Sequence, residues 1–469
     1  MQGPVPPEVI SRLKDVLGSS GWSQDPDQLD PLLHEWRRRW RGATPLMVQP
    51  DSTAQVAAVV SICAAHGVAI TPQGGNTGLV GGQIPQGEIL LSTRRLNRVR
   101  EVARLDECVV VEAGVTLAET QAAAIKENRL FPLSLAAESA ATIGGVLSTN
   151  AGGTAVLRYG VARDLVLGIE AVLPDGRVFE GLKRLRKDNT GYDLKQLLIG
   201  AEGTLGIITA ASLKLYPQPR SRAVAIVGLA SADKTLELLQ RAREETGGAV
   251  EAFELMGRQG LELVLRNIPD TRAPFAKLFP WQVLIELTSP QREAASPLME
   301  QVLARAFEDE LITDAAIAQN EQQAYAFWRL REDHSAAQRF EGVEWKHDVS
   351  VPISQIPAFL SAADAAILGL SSGARIVAFG HVGDGNIHYN VVQPAGEDGS
   401  AFEALRERAA HTVHNIVHQF GGSISAEHGL GIMKTAEALR FKSAAEVDAM
   451  RAVRAALDPA RLMNPRVLF

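Results

Sequence analysis

Cysteine is almost absent from this chain of 469 residues: there are two, Cys63 and Cys108, and no CxxC pair. A disulfide framework and thiolate metal sites need more than that. Both sit in apolar stretches and read as core thiols. A GxGxxG fingerprint and a Walker A sequence are also missing, which argues against Rossmann and P-loop modes of nucleotide binding. No long basic run occurs and the formal charge is −7, so nucleic acid is excluded as a main partner. The start, MQGPVPPEVISRLKDVLG, lacks the basic-then-apolar pattern of a signal peptide. No apolar stretch reads as long enough to span a membrane. A cytoplasmic protein without a membrane span is expected.

What is present is an ordinary globular composition, 46% hydrophobic and 22% charged, over a length that suggests roughly two to four domains. Three stretches stand out. Residues 1–217 are rich in glycine, with strands expected at LMVQP, VAITP, EILLST and CVVVEAG. DSTAQVAAVVSICAAHG reads as a helix capped by Asp51 or Ser52 and closed by Gly67. Residues 218–410 alternate strand and helix, which predicts an antiparallel sheet with helices on one face. Residues 411–469 read as mostly helical. The fold class is therefore α+β. The one basic cluster, EWRRRWRG over Glu35–Gly42, reads as a solvated helix face.

Three glycine clusters fall within the first stretch: TPQGGNTGLVGGQIP from Thr71, ATIGGVLSTNAGGTAVLRYG from Ala141, and GAEGTLGIIT from Gly200. Glycine lets backbone N–H groups come close to a ligand, which suits phosphate oxygens. One such loop is an ordinary turn. Three suggest an extended ligand lying along several backbone segments.

Histidines concentrate at the other end of the chain. In FGHVGDGNIHYN, an Asp384-Gly385 hairpin loop would set His381 opposite His388, with Asn390 on the same face. Such a pair could hold one metal ion or pack as aromatic rings on a sheet. SAEHGLG adds Glu427 and His428, and two imidazoles with a carboxylate suit Zn²⁺ with an open position. His411, His414 and His418 share a helix face without an acidic partner and read as a surface or packing stripe.

Together the PxGGxTGL, TIGG…TNAGG…RYG and GxEGTLGI segments resemble the flavin-binding domain of the vanillyl-alcohol-oxidase (PCMH) type. Within that group the whole chain is similar to the D-2-hydroxy acid dehydrogenases, those acting on D-2-hydroxyglutarate, D-lactate and glycolate among them. The resemblance implies an FAD-binding domain over 1–217, a substrate domain over 218–410 with an antiparallel sheet covered by helices, and a C-terminal segment over 411–469 that completes the active site. It implies FAD held by Pro72, Gly74, Gly75, Asn76, Thr77, Gly78, Leu79, Thr142, Gly144, Gly145, Thr149, Asn150, Gly152, Gly153, Tyr159, Gly160, Glu202, Gly203, Ile207 and Asn464. Relatives with covalent flavin carry histidine or cysteine in the first loop, so non-covalent FAD is expected here.

The same resemblance carries an H-x6-H segment followed by EHG, which favours the metal reading, with His381, His388 and Glu427 as ligands to a divalent ion and His428 as the catalytic base. Arg331, Ser335 and Lys346 match the residues that hold a distal carboxylate in D-2-hydroxyglutarate dehydrogenases, and Asn390 falls beside the substrate. Serine stands at 335 where threonine is common, which leaves D-malate as another substrate. D-lactate or glycolate is the near alternative, and a non-catalytic FAD-binding electron-transfer subunit is the alternative of another class. An electron-transfer flavoprotein or a quinone-linked chain is the implied acceptor, and a homodimer is among the expected assemblies.

Overall fold

A computed structural model of the chain describes residues 4–468. Its contacts group the chain into two units. One takes residues up to 153, 160–218 and 427 onward, and the other takes 154–159 and 219–426. The third expected stretch, 411–469, is thus divided at 426/427 between the two units.

In the first unit, helix α1 (Thr53–Ala65) starts where the Ser52 side chain accepts from Gln55 N–H at 3.4 Å. It buries Val56, Val59, Val60 and Cys63, a 3–4 spacing that makes one apolar face. That face packs into a core with Val48, Ile70, Ile89 and Leu91. Three of these residues lie on the parallel strands β1 (Ile70–Gln73) and β2 (Ile89–Ser92). Each such buried side chain contributes about 1.5–3 kcal/mol. A five-stranded antiparallel sheet follows, in the order β3-β4-β7-β5-β6: β3 (Val99–Ala103), β4 (Cys108–Glu112), β5 (Val166–Val172), β6 (Val178–Gly181) and β7 (Ile207–Lys214). Both cysteines are buried and unpaired, and burial pushes the Cys63 thiol up to about 12.

EWRRRWRG is not a helix. Glu35 is buried, and its carboxylate accepts Arg37 N–H at 2.5 Å and Arg39 N–H at 3.0 Å, while Arg38 takes φ 55°. A buried acid wraps the basic residues into a turn.

In the second unit, a seven-stranded antiparallel sheet runs β11-β8-β10-β9-β13-β14-β12. Its strands are β8 (Ser221–Leu229), β9 (Val250–Gly257), β10 (Trp281–Ser289), β11 (Asp314–Ile317), β12 (Glu344–Ser350), β13 (Arg375–His381) and β14 (Asn386–Val392). Helices cover both faces rather than one. On one face lie α2 (Arg258–Asn267), α3 (Glu321–Glu332) and α4 (His334–Gln338), with His334 against Phe379 at 4.8 Å between centroids. On the other, α5 (Ile356–Leu370) sets Phe359 against Tyr389 at 5.8 Å, and α6 (Arg406–Gln419) sets His414 against His347 at 5.7 Å. The reason is in the strands: β9 and β10 are buried almost end to end, so neither face could be left to water.

The stretch Ile353–Leu370 does meet the length and apolarity of a membrane span, contrary to the expectation from the sequence. In the fold it buries Ile356, Phe359, Leu360, Ala363 and Ile367, a 3–4 stripe turned to the sheet. It packs on this unit by that one face.

Candidate functional site

The first unit contains a cavity of about 290 Å³ whose walls are the three glycine segments. Pro72, Gly74, Gly75, Asn76, Thr77, Gly78 and Leu79 line it, as do Thr142, Gly144, Gly145, Thr149, Gly152, Glu202, Gly203, Ile207 and Asn464. The glycines are steric requirements. A β-carbon on Gly75 would stand 1.9 Å from the Ala140 carbonyl oxygen, and one on Gly74 2.2 Å from Thr142 Oγ1. The loop is held open by its own amides: Asn76, at φ 58°, donates to the His34 carbonyl at 2.9 Å, and Gln83 donates to Gly78 O at 2.8 Å.

Four expected contacts do not line the cavity. Asn150 takes φ 51° and accepts Arg163 N–H at 2.9 Å. Gly153 lets the chain pass Ser134, whose carbonyl would meet a β-carbon at 1.9 Å. Gly160, at φ 78°, makes the same allowance for Asp164. Tyr159 belongs to the second unit. Asn150, Gly153 and Gly160 take these backbone roles outside the lining of the cavity. Gln73, Gln83, Thr93 and Ser148 line the cavity without having been expected.

Three cavity-wall residues carry buried oxygens without a protein partner, Gln73 Oε1, Thr142 Oγ1 and Asn464 Oδ1. Buried polar atoms are rarely left unpaired, so all three fit a wall that takes a polar ligand. Close backbone approach and unpaired oxygens together suit FAD. Glu202 has a further task. Its two oxygens accept Leu430 and Gly431 N–H, each at 2.8 Å, while burial pushes its carboxyl up against those bonds. It thereby anchors the turn whose Glu427 and His428 also line the cavity, with His428 Nε2 3.7 Å from Glu427 Oε1. The expected base thus shares a wall with the expected cofactor residues.

In the second unit, one sheet face gathers the remaining polar residues. On β14 they are Asn386, His388 and Asn390; opposite them on β12 are Ser350, Asp348 and Lys346. On its other side β13 presents His381 to Asn386 and Phe379 to His388. The expected two-residue hairpin loop is absent. Residues 382–385 form the turn, with Asp384 Oδ1 accepting Asn386 N–H at 3.0 Å and Gly385 at φ 86°. His381 and His388 are therefore diagonal neighbours, not opposite ones. A shift of two residues leaves every side chain on its face, so the imidazoles still meet, 5.5 Å between centroids at 76°.

Carboxylates stand behind both imidazoles. Glu254 on β9 lies 2.8 Å from His381 Nδ1, and Asp348 lies 3.7 Å from His388 Nδ1. Burial alone would raise the Glu254 carboxyl, but the charges and hydrogen bonds of His381 and Arg331 outweigh it and hold it at about 2. Arg331 is buried, donates from Nε to Glu254 at 2.7 Å, and lies 4.9 Å over the Phe379 ring. Lys346 sits with its ammonium 2.9 Å from Glu344. Neither is a solvated cation. Ser335 is half-buried and does not share a continuous helix with Arg331, because α3 ends at Glu332 and α4 begins at His334. Glu254 was missed from the sequence, although the two acids Glu251 and Glu254 inside an otherwise apolar strand, VEAFELMG, were a usable signal. Asp348 was also legible, two residues from Lys346 and so on its face.

The family comparisons also break near residue 218, but they carry the second match past 426 into residues of the first unit. Residues 44–181 match the family described as FAD binding domain, and residues 218–468 match FAD linked oxidases, C-terminal domain. The chain is 35% identical to the D-2-hydroxyglutarate dehydrogenase of Xanthomonas citri pv. viticola, over 99% of this chain and 97% of that one. It is 35% identical to the mitochondrial D-2-hydroxyglutarate dehydrogenase of Arabidopsis thaliana, over 97% and 80%. Among solved structures, p-cresol methylhydroxylase superposes with a TM-score of 0.76 at 16% identity, covering 98% and 96%. Alkyldihydroxyacetonephosphate synthase gives 0.75 at 18%, covering 100% and 87%. These two share the fold, which is the PCMH-type flavoprotein fold. Within it, the chain belongs to the D-2-hydroxyglutarate dehydrogenase family of FAD-linked oxidases.

Proposed function

We propose that this protein oxidises a dicarboxylic D-2-hydroxy acid, D-2-hydroxyglutarate, to its 2-oxo acid. One observation carries the choice of substrate: a buried cation, Arg331, and a largely buried one, Lys346, accompany the imidazole pair of the second unit. A second substrate carboxylate needs a second cationic partner, and lactate has no such group. The names of the relatives support the same substrate.

FAD, when bound, supplies the two-electron acceptor that takes the substrate hydride. A divalent ion, when bound, supplies Lewis acidity that lowers the pKa of the substrate hydroxyl. His381, His388 and Glu427 would hold that ion, and two imidazoles with one carboxylate favour Zn²⁺. The ring separation supports the two histidines.

The protein's own residues would divide the remaining work. His428 accepts the hydroxyl proton, which requires hydrogen-bond reach of that oxygen. Asn390 donates to the substrate carboxylate. Arg331, Ser335 and Lys346 bind the distal carboxylate and so orient the C2 hydrogen. Electrons then leave to an electron-transfer flavoprotein or a quinone-linked acceptor.

The test is anaerobic bleaching of the flavin by a panel of D- and L-2-hydroxy acids, with elemental analysis of the same sample. D-2-hydroxyglutarate is expected to bleach fastest and about one Zn²⁺ per chain to be found. Bleaching by the L-acids, or fastest bleaching by lactate, would overturn the assignment of substrate.

A further inference from the structure

The roles above leave the buried acid Glu254 unassigned. Glu254 is 1% exposed on β9, with Oε1 2.8 Å from His381 Nδ1 and Oε2 2.7 Å from Arg331 Nε. One carboxylate therefore grips a residue from β13 and a residue from α3. We propose that Glu254 is a positioning residue that sets the tautomer of His381 and the aim of Arg331 together. The inference rests on the reading of His381 as a metal ligand and Arg331 as a substrate clamp.

The chemistry of the two contacts supports it. An ionised carboxylate only accepts hydrogen bonds. A neutral His381, the form that binds a metal, must then carry its proton on Nδ1, which leaves the lone pair on Nε2. Carboxylate partners of this kind fix the ring orientation of metal-binding histidines. Arg331 is held through Nε, so its Nη fork takes no part in that bond. The Phe379 ring under the guanidinium, at 4.9 Å, restricts its plane further.

Glutamine cannot replace this acid. If its amide N–H₂ faces His381, the ring must accept at Nδ1 and move its proton to Nε2, which removes the lone pair. If the N–H₂ faces Arg331, two donors meet. A carboxylate alone satisfies both neighbours.

The test compares wild type, Glu254→Gln and Glu254→Asp, each purified with its FAD. Co²⁺ is titrated into chelator-treated protein. The dissociation constant is expected to rise about 10–100-fold in Glu254→Gln, with most of the affinity recovered in Glu254→Asp. Histidine ¹⁵N spectra of the metal-free proteins, with His381 assigned through His381→Asn, should show Nδ1–H in wild type and Nε2–H in Glu254→Gln. KM for D-2-hydroxyglutarate should rise about tenfold while that for D-lactate changes little. A folded, flavin-loaded Glu254→Gln with wild-type tautomer and Co²⁺ affinity would overturn the proposal, even if its melting temperature fell. Should wild type bind no Co²⁺, the metal reading fails, and the ¹⁵N tautomer still decides the role of Glu254.

Discussion

The cavity of the first unit is built from backbone, and the polar face of the second is built from side chains. In the cavity the decisive feature is the missing β-carbon, as at Gly74 and Gly75. On the sheet face it is pairing register, which brings Lys346, Asn390, His388 and His381 together from three strands. The difference teaches where each unit is fragile. A single methyl group should destroy the cavity, whereas the sheet face should lose one function at a time.

The most disruptive expected change is Gly75→Ala. Its β-carbon would stand 1.9 Å from the Ala140 carbonyl, so the protein should purify nearly without flavin, read as the ratio of flavin to protein absorbance. Full flavin content would break the claim that backbone approach defines this unit. His428→Ala should keep FAD and slow anaerobic flavin reduction by about 10²–10⁴-fold, the usual contribution of a general base. Near-normal reduction would remove His428 as the base. Chelation should abolish turnover while leaving the flavin bound, and added Zn²⁺ should restore it; full turnover by metal-free protein would remove the metal from the account.

The smallest effect concerns pH and lies away from the polar face. Burial raises the Asp364 carboxyl from 3.8 to about 6, only partly opposed by the Tyr389 hydroxyl that donates to it at 2.9 Å. The folded state therefore binds this proton more tightly than the unfolded chain. That stabilisation is complete below pH about 4 and is lost as pH rises through about 6, by at most about 3 kcal/mol. Asp364→Asn should flatten this part of the stability profile, measured by denaturant unfolding between pH 4 and 7. An unchanged slope would show that Asp364 does not hold the proton.

The same contrast explains what was legible in the sequence. The cavity wall is written in contiguous glycine motifs, and most of the residues expected there line it. The exceptions, such as Asn150 and Gly160, serve turns that the same motifs require. Glu427 and His428 were legible as a pair, but the anchoring of their turn by Glu202 depends on a contact 228 residues away in sequence. On the sheet face, the residues were legible and the hairpin was not, because the Asp384-Gly385 signal also fits a longer turn. The face survived that error because strand side chains repeat every second residue. Glu254 was not found because its partners, His381 and Arg331, are distant in sequence, and only the pairing of β9 with β13 brings it beside His381.

The most direct measurement is the rate of anaerobic flavin reduction by D-2-hydroxyglutarate relative to D-lactate, in wild type and in Lys346→Ala. The account predicts a strong preference for the diacid in wild type. It predicts a fall of about 10–100-fold in that preference in the variant, caused by loss of the diacid rate with the lactate rate nearly unchanged. Equal losses on both substrates would contradict the claim that the cations Arg331 and Lys346 choose the substrate.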